Sequence, residues 1–308
     1  MSGPAPVRIR VPATSANLGP AFDSAGLALA LYDEVEVSVA DGWSVEVEGT
    51  GADELPRDES HLVVRAFQAA CDDLGWLPPG LRLHARNAIP QGRGLGSSAA
   101  AVVAGILAAW ALCPAVTGID DERVLALADV IEGHPDNVAA CLLGGLTLSW
   151  SGEDGARATS LAVDPRVTPV VCVPTATLST HVARALLPPT VPHGDAAFNA
   201  GRAALLVHAL TAAPELLLPA TEDRLHQDQR GPHMPATAAL VGDLRDAGHA
   251  AVVSGAGPSV LVLGAEPGHA PLVHTVVPEG WTVLDLPVEA GGARVRHGAG
   301  HENGAVSS

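Results

Sequence analysis

Apolar and polar positions alternate early in the chain. Val35, Val37 and Val39 sit two apart, with Glu34, Glu36 and Ser38 between them. That is the period of a strand with one buried face. Residues 7–11 share it. Trp43, Val45 and Val47 repeat it after Asp41-Gly42, a dipeptide that signals a hairpin turn. The period then lengthens. Residues 61–75 read as a helix closed by Gly75, and 81–85 as another strand. A glycine-rich loop, 90–96, leads into a helix from Ser97. The nearly apolar run Ala99–Cys113 inside that helix is shorter than the ~18 residues a membrane span needs, so it predicts a buried helix. Residues 121–131 form a helix with Val124, Leu125, Ala128 and Ile131 on one face and acidic residues at its start. Strands follow near 145–150 and 168–174, and helices near 179–187, 195–213 and 235–247. A strand at 250–254 leads through a tight turn into another strand.

Helices and strands are mixed throughout, without an internal repeat. The class is α+β with two lobes. The polar stretch 152–158 lacks periodicity and is read as the junction. This gives an N-terminal unit of 1–155 and a C-terminal unit of 156–296. Residues 297–308 are Gly-, Ser- and His-bearing without apolar period, and predict a tail without fixed structure.

Composition narrows the chemistry. The chain has 308 residues and a net charge of −17. It is a poor candidate for nucleic acid or an anionic membrane surface. All 17 basic residues counted as Lys+Arg are arginine. There is no lysine for a Schiff base, a general base or a P-loop. Cys71, Cys113, Cys141 and Cys172 are isolated, with no zinc or redox spacing. The start, MSGPAPVRIR, carries no apolar stretch of a signal peptide. A reducing cytoplasm is the expected location.

The strongest local signal is Gly92-Arg93-Gly94-Leu95-Gly96-Ser97-Ser98. Glycines at alternate positions let a backbone approach a ligand and turn its N–H groups inward. The following helix offers unpaired N–H groups and a positive dipole end, an anion site. The loop alone reads equally as a flexible, serine-capped turn. Its spacing is neither GxGxxG nor a P-loop. If it binds polyphosphate, the loop amides, Arg93 and a divalent cation must supply the positive potential, and Ser98 can offer Mg²⁺ a hydroxyl. A second cluster is Glu132-Gly133-His134-Pro135-Asp136-Asn137. Glu132 ends a helix, where a negative charge is disfavoured unless a cation is near. The bland alternative is a capped turn with Asp136 as N-cap. Asn17 and Asp23 sit in a Gly/Pro-rich loop after the first strand, and Ser254–Ser259 forms a turn. Thr180 and Arg184 lie one helical turn apart. Arg184 and Arg230 are candidates for bidentate carboxylate recognition.

In this order, the loop at 12–23, GLGSSAA at 94–100 and SGAGPS at 254–259 resemble the GHMP kinases. The wording ATSANLGPAFDSAGLAL, EGHPDNVA with Gly144-Gly145, and STHVARALLP at 179–188 look most like the homoserine kinase branch. The resemblance runs from about residue 7 to 296. It implies a two-lobed fold and ATP-dependent phosphorylation of the L-homoserine hydroxyl, a step toward threonine. It implies that Pro90, Gly92, Arg93, Gly94, Leu95, Gly96, Ser97 and Ser98 wrap the phosphates, and that Ser98 and Glu132 hold Mg²⁺. It implies a substrate pocket of Asn17, Asp23, His134, Asp136, Asn137, Thr180, Arg184, Arg230 and Gly257. A homodimer is compatible with it. Asp23 and Asp136 are candidates for the ammonium, and Arg184 with Arg230 for the carboxylate. Mevalonate-type relatives pair a catalytic aspartate with a lysine. Here that aspartate position falls on Asn137, which cannot take a proton. Asn137, Glu132 and Ser98 are therefore expected to catalyse by positioning and charge neutralisation.

The chain departs from the family at Ala21, His61, Ala140, Asp228 and Gln229. Ala21 replaces a glycine, which strains the loop if its φ is positive. Three other readings compete. One is a kinase of another small hydroxy amino acid. Another is a hydrolase with Glu132, His134 and Asp136 as metal ligands. The last is a non-catalytic nucleotide sensor.

Overall fold

The computed structural model describes residues 5–153, 155–178, 184–266, 268–298 and 302–303. The first half runs β1 (Val7–Ala16), β2 (Ala25–Val39), β3 (Gly42–Gly49), α1 (Leu62–Leu74), β4 (Gly80–Asn87), α2 (Ser97–Leu112), α3 (Asp121–Glu132) and α4 (Pro135–Leu143). Next come β5 (Leu146–Gly152), β6 (Gly155–Leu161), β7 (Thr168–Pro174) and α5 (His193–Thr211). The chain ends with α6 (Pro235–Asp246), β8 (Ala250–Val253), β9 (Val260–Gly264), α7 (His269–Val276), β10 (Trp281–Asp285), β11 (Arg294–His297) and β12 (Glu302–Asn303).

Among the described residues two sheets organise these elements. The larger has the order β12-β11-β1-β2-β4-β3, with β5 on β2 and β6 on β5. The smaller has the order β10-β7-β9-β8. Alternation decides the faces. Val7, Ile9 and Val11 of β1, Val35 and Val37 of β2, and Leu81, Leu83 and Ala85 of β4 are buried, while Arg8, Glu34, Arg82 and Arg86 face out. α1 and α2 cover the apolar face. α2 carries no charged residue and is buried almost all round, as its sequence requires. Gly105 lets it close on α1, because a Cβ there would come within 2.3 Å of the Val63 carbonyl. One face of the smaller sheet joins the same core through Val171, Val252 and Leu261, and the other packs on α6 and α7.

The turn at Asp41-Gly42 reverses the chain but makes no hairpin. β4 lies between β2 and β3, antiparallel to the first and parallel to the second. A turn residue specifies a reversal, not a neighbour. The central place goes to β4, whose inward residues are almost fully buried, and the edge to β3 with exposed Glu46 and Glu48. The stretch 152–158 is also not a junction in the chain path. Gly152 pairs with Gly155, and β5 and β6 form a hairpin of the larger sheet. The chain leaves that sheet after Leu161 and returns as β11 beside β1. At the tail, His297 ends β11, and Glu302 pairs with Arg296. The expected helix at 179–187 falls largely on 179–183, outside the described residues.

Candidate active site

The glycine loop has the backbone its spacing implies. Gly92, Gly94 and Gly96 have φ of 62, 69 and 71°, a region costly for other residues. Gly96 is the N-cap of α2 and supplies no side chain to its first N–H groups. These donors and the helix dipole face the cleft together. A Cβ at Gly94 would meet the Ser254 carbonyl at 2.1 Å. The Ser254 hydroxyl donates to the Gly94 carbonyl at 2.6 Å and lies 2.9 Å from the Ser15 hydroxyl. Asn17 Nδ2 donates to the Gly255 carbonyl at 3.0 Å, and Gly255 N to the Ala16 carbonyl at 3.1 Å. Three motifs far apart in sequence are thus one hydrogen-bonded unit.

Asn17, Leu18 and Asp23 are the non-glycine residues with positive φ among those described. Such conformations cost about 1 kcal/mol or more each and persist where the surroundings fix them. Here Asn17 Oδ1 accepts the Asp23 N–H at 2.9 Å. Ala21 is not among them and is buried, so its methyl brings no strain.

A cavity of about 100 Å³ brings together Gly92, Gly94, Gly96, Ser97 and Ser98 from the loop. Glu132, His134, Asp136 and Asn137 join them from the α3–α4 turn, and Asn17, Arg184 and Arg230 from elsewhere. Gly92, Ser97 and Ser98 also line a neighbouring cavity of about 220 Å³, with Asp33, His61, Asn87 and Gln91. Pro90, Arg93 and Leu95 do not line the first of these cavities, and neither do Asp23 and Gly257. Leu95 is fully buried. Arg93 spends its donors on three carbonyls, those of Pro174 at 2.9 Å, Gln91 at 3.0 Å and Thr175 at 2.8 Å. It tethers the loop to the end of β7 rather than presenting charge to a ligand. Gly257, with φ of 86°, packs on Met234. Thr180 lies outside the described residues.

Glu132 is the last residue of α3, and Gly133 caps it with φ of 85°. Ser98 donates to Glu132 Oε2 at 2.8 Å. Burial pushes the Glu132 carboxyl above its ordinary value, against the Ser98 bond and nearby His134. A half-buried carboxylate beside a serine hydroxyl is a hard-oxygen donor pair, suited to Mg²⁺ that keeps its remaining ligands from water and phosphate. Among the described residues, no three His, Cys, Asp or Glu side chains converge on a metal position. The Glu132, His134 and Asp136 set of the hydrolase reading is not such a group, and His134 Nδ1 lies 2.7 Å from Asp136 Oδ1.

Asp136 is not the N-cap of α4. His134 takes that place, Pro135 opens the helix, and Asp136 lies in the first turn. Burial works against the His134 imidazolium, but the bonded Asp136 carboxylate holds its pKa above the ordinary value. Asp136 Oδ1 also accepts the Asn137 backbone N–H at 2.7 Å and lies 3.3 Å from Asn137 Nδ2. Asn137 Oδ1 accepts the Thr14 hydroxyl at 2.8 Å.

Arg184 and Asp23 form a two-bond ion pair, one bond being 2.9 Å. Asp23 raises the pKa of Arg184. Arg230 differs. Its side chain is buried, its Nε has no hydrogen-bond partner, and it pairs with no carboxylate among the described residues. Burial and Arg184 both lower its pKa. Both guanidiniums lie 5.1 Å from the Phe22 ring, which stacks on His226 at 4.4 Å. Asp223 accepts the Leu225 and Gln227 backbone N–H groups and the Asn199 amide. It fixes the helical turn Gln227–Arg230 that carries Arg230. Asp228 and Gln229 are exposed on that turn, away from the cleft. His61 is the N-cap of α1 and accepts the Val63 N–H.

Thr14, Phe22, Asn199, Asp223 and His226 escaped the sequence reading. Phe22 had a signal: it is one of three phenylalanines and sits inside a motif. Asp223 and Asn199 had none, since their role depends on a contact 24 residues apart.

Residues 61–145 match the GHMP kinases N-terminal domain, and 196–282 match GHMP kinases C terminal. A homoserine kinase of Streptomyces avermitilis is 56% identical over 96% of this chain and 98% of that protein. One of Clavibacter michiganensis is 54% identical over 94% of each. The crystal structure of homoserine kinase from Cytophaga hutchinsonii superposes with a TM-score of 0.84 at 26% identity, covering 96% of this chain and 99% of that one. L. major mevalonate kinase shares the fold at 18% identity, with a TM-score of 0.64 over 95% and 97% of the two chains.

Proposed function

The chain belongs to the GHMP kinases, and from that premise we infer an ATP-dependent kinase that phosphorylates the side-chain hydroxyl of L-homoserine, a step of threonine biosynthesis. The observation that carries the acceptor is Arg230. A buried guanidinium without a carboxylate partner is costly unless an anion meets it. The carboxylate of an amino acid is such an anion. The Asp136 carboxylate, which lines the same cavity, suits its ammonium.

The loop amides and the α2 N-terminus take the triphosphate. Ser98 and Glu132 would hold Mg²⁺, which when bound would supply charge neutralisation for the phosphates. The acceptor oxygen attacks the γ-phosphorus, the bond to the ADP oxygen breaks, and the hydroxyl proton leaves on a phosphoryl oxygen. No side-chain base is required, because a loose phosphoryl-transfer transition state is served mainly by positioning and charge neutralisation. Asn137 lies at the junction of loop and acceptor and supplies an N–H there.

The four cysteines are buried and free, which fits a reducing cytoplasm. No helix among the described residues is long and apolar enough to cross a membrane. The test is ADP release from Mg-ATP with L-homoserine, L-threonine, mevalonate, shikimate or no acceptor. Release that requires L-homoserine is expected. Equal release with another acceptor, or none with homoserine, would overturn the reading.

A further inference from the structure

An asparagine amide has a donor end and an acceptor end, and a half-turn exchanges them. We propose that Thr14 is a positioning residue that locks the Asn137 amide so that its Nδ2–H, and not its oxygen, meets the reacting atoms. Thr14 is fully buried and lines neither cavity, so it touches no ligand itself. Its hydroxyl donates to Asn137 Oδ1 at 2.8 Å. On the other side of the amide, Asp136 Oδ1 lies 3.3 Å from Nδ2.

The two contacts fix the orientation together. An ionised carboxylate only accepts, so Asp136 requires the NH₂ group on its side. The Thr14 hydroxyl alone could accept or donate. With Nδ2 held by Asp136, it must donate to the oxygen. An inverted amide would set Oδ1 against the carboxylate.

The lock reaches the phosphate loop. A Cβ at Gly96 would lie 1.9 Å from Thr14 Oγ1 and 3.2 Å from Asn137 Oδ1. Thr14 N also donates to the Leu95 carbonyl at 3.0 Å. The last glycine of the loop is therefore seated on the Thr14–Asn137 pair. Loop and amide hold one register, which a phosphoryl group between them needs.

The inference rests on Asn137 acting at the reacting centre, and its test separates the two claims. Thr14→Val keeps the shape and removes the hydroxyl. Thr14→Ser keeps the hydroxyl. Thr14→Val should lower kcat about 10- to 100-fold while KM for ATP and for L-homoserine stays within about threefold, as expected for lost orientation. Thr14→Ser should restore most of it. In an Asn137→Ala background, Thr14→Val should cost nothing further. A full additional loss in the double variant, or a loss confined to KM, would overturn the proposal. A second readout needs no acceptor: the Asn137 side-chain ¹⁵N–¹H₂ resonances of the Mg-ATP complex, identified by their absence in Asn137→Ala. They should shift or broaden in Thr14→Val and be retained in Thr14→Ser. Unchanged resonances in Thr14→Val would overturn the lock even if homoserine proved to be the wrong acceptor.

Discussion

On the proposed function, anion recognition at the phosphate end of the cleft is made of backbone. Three glycines with positive φ and an uncapped helix start supply it, and the loop's one arginine is turned away onto carbonyls. At the acceptor end, recognition is made of side chains. Arg184 and Asp23 come together across 161 residues, and Arg230 is delivered by a turn that Asp223 caps. On the proposed function, a chain with net charge −17 would therefore meet its most highly charged ligand with almost no side-chain charge of its own. It would spend on the smaller one the Arg184 guanidinium, paired with Asp23, and the Arg230 guanidinium, held among the described residues by the Gly255 carbonyl at 3.3 Å. Backbone N–H groups act on any phosphate. Side chains at fixed separations discriminate between small zwitterions.

The largest effect should come where the two ends meet. Glu132→Gln removes the carboxylate beside Ser98, and kcat/KM should fall about 10³-fold, roughly 4 kcal/mol. The Mg²⁺ concentration for half-maximal rate should rise with it. A loss under tenfold would mean that the metal is held elsewhere. Next, Arg230→Met should raise KM for L-homoserine about 100-fold, the scale of a lost charged hydrogen bond of roughly 1.5–3 kcal/mol. KM for ATP should stay within about twofold. A matching rise for ATP would erase the distinction between the ends.

Arg93→Met probes the same distinction from the other side. If the loop arginine only tethers, KM for ATP should change less than about tenfold, with a loss of a few degrees in Tm. A 100-fold rise would place its charge on the phosphates.

The smallest effect concerns His134, whose pKa is raised in the fold despite burial. A raised basic pKa contributes stability that is fully present below the unfolded value near 6.5 and fades as pH rises through the folded value. His134→Gln should therefore lower Tm more at pH 5.5 than at pH 8.5, by about 2 °C. An equal loss at both pH values would deny that the Asp136 contact carries the shift.

These two ends were also unequally legible in the sequence. The phosphate loop could be read because its geometry is local: alternate glycines followed by serines dictate an open helix start. α1 and α3 were readable for the same reason, with Gly75 and Gly133 capping them. What failed was non-local. Asp41-Gly42 announced a reversal but not that β4 would intervene. The polar 152–158 stretch looked like a linker because a two-sided surface hairpin has little apolar period. Arg184 and Asp23 were named separately for opposite ends of a substrate, and nothing local says that they pair. Thr14 was in plain view inside a motif, but its partner lies 123 residues away.

The most direct test is the turnover of Asn137→Asp with Mg-ATP and L-homoserine from pH 6 to pH 9. A side-chain general base contributes about 10²–10⁴-fold where one is used, so a site lacking only a base would gain from the change. With Asn137 as an N–H donor locked between Thr14 and Asp136, the new carboxylate sets a negative charge against Asp136 and the phosphates. The account predicts a kcat at least tenfold lower across the whole range. A kcat equal to or above that of the parent would contradict it.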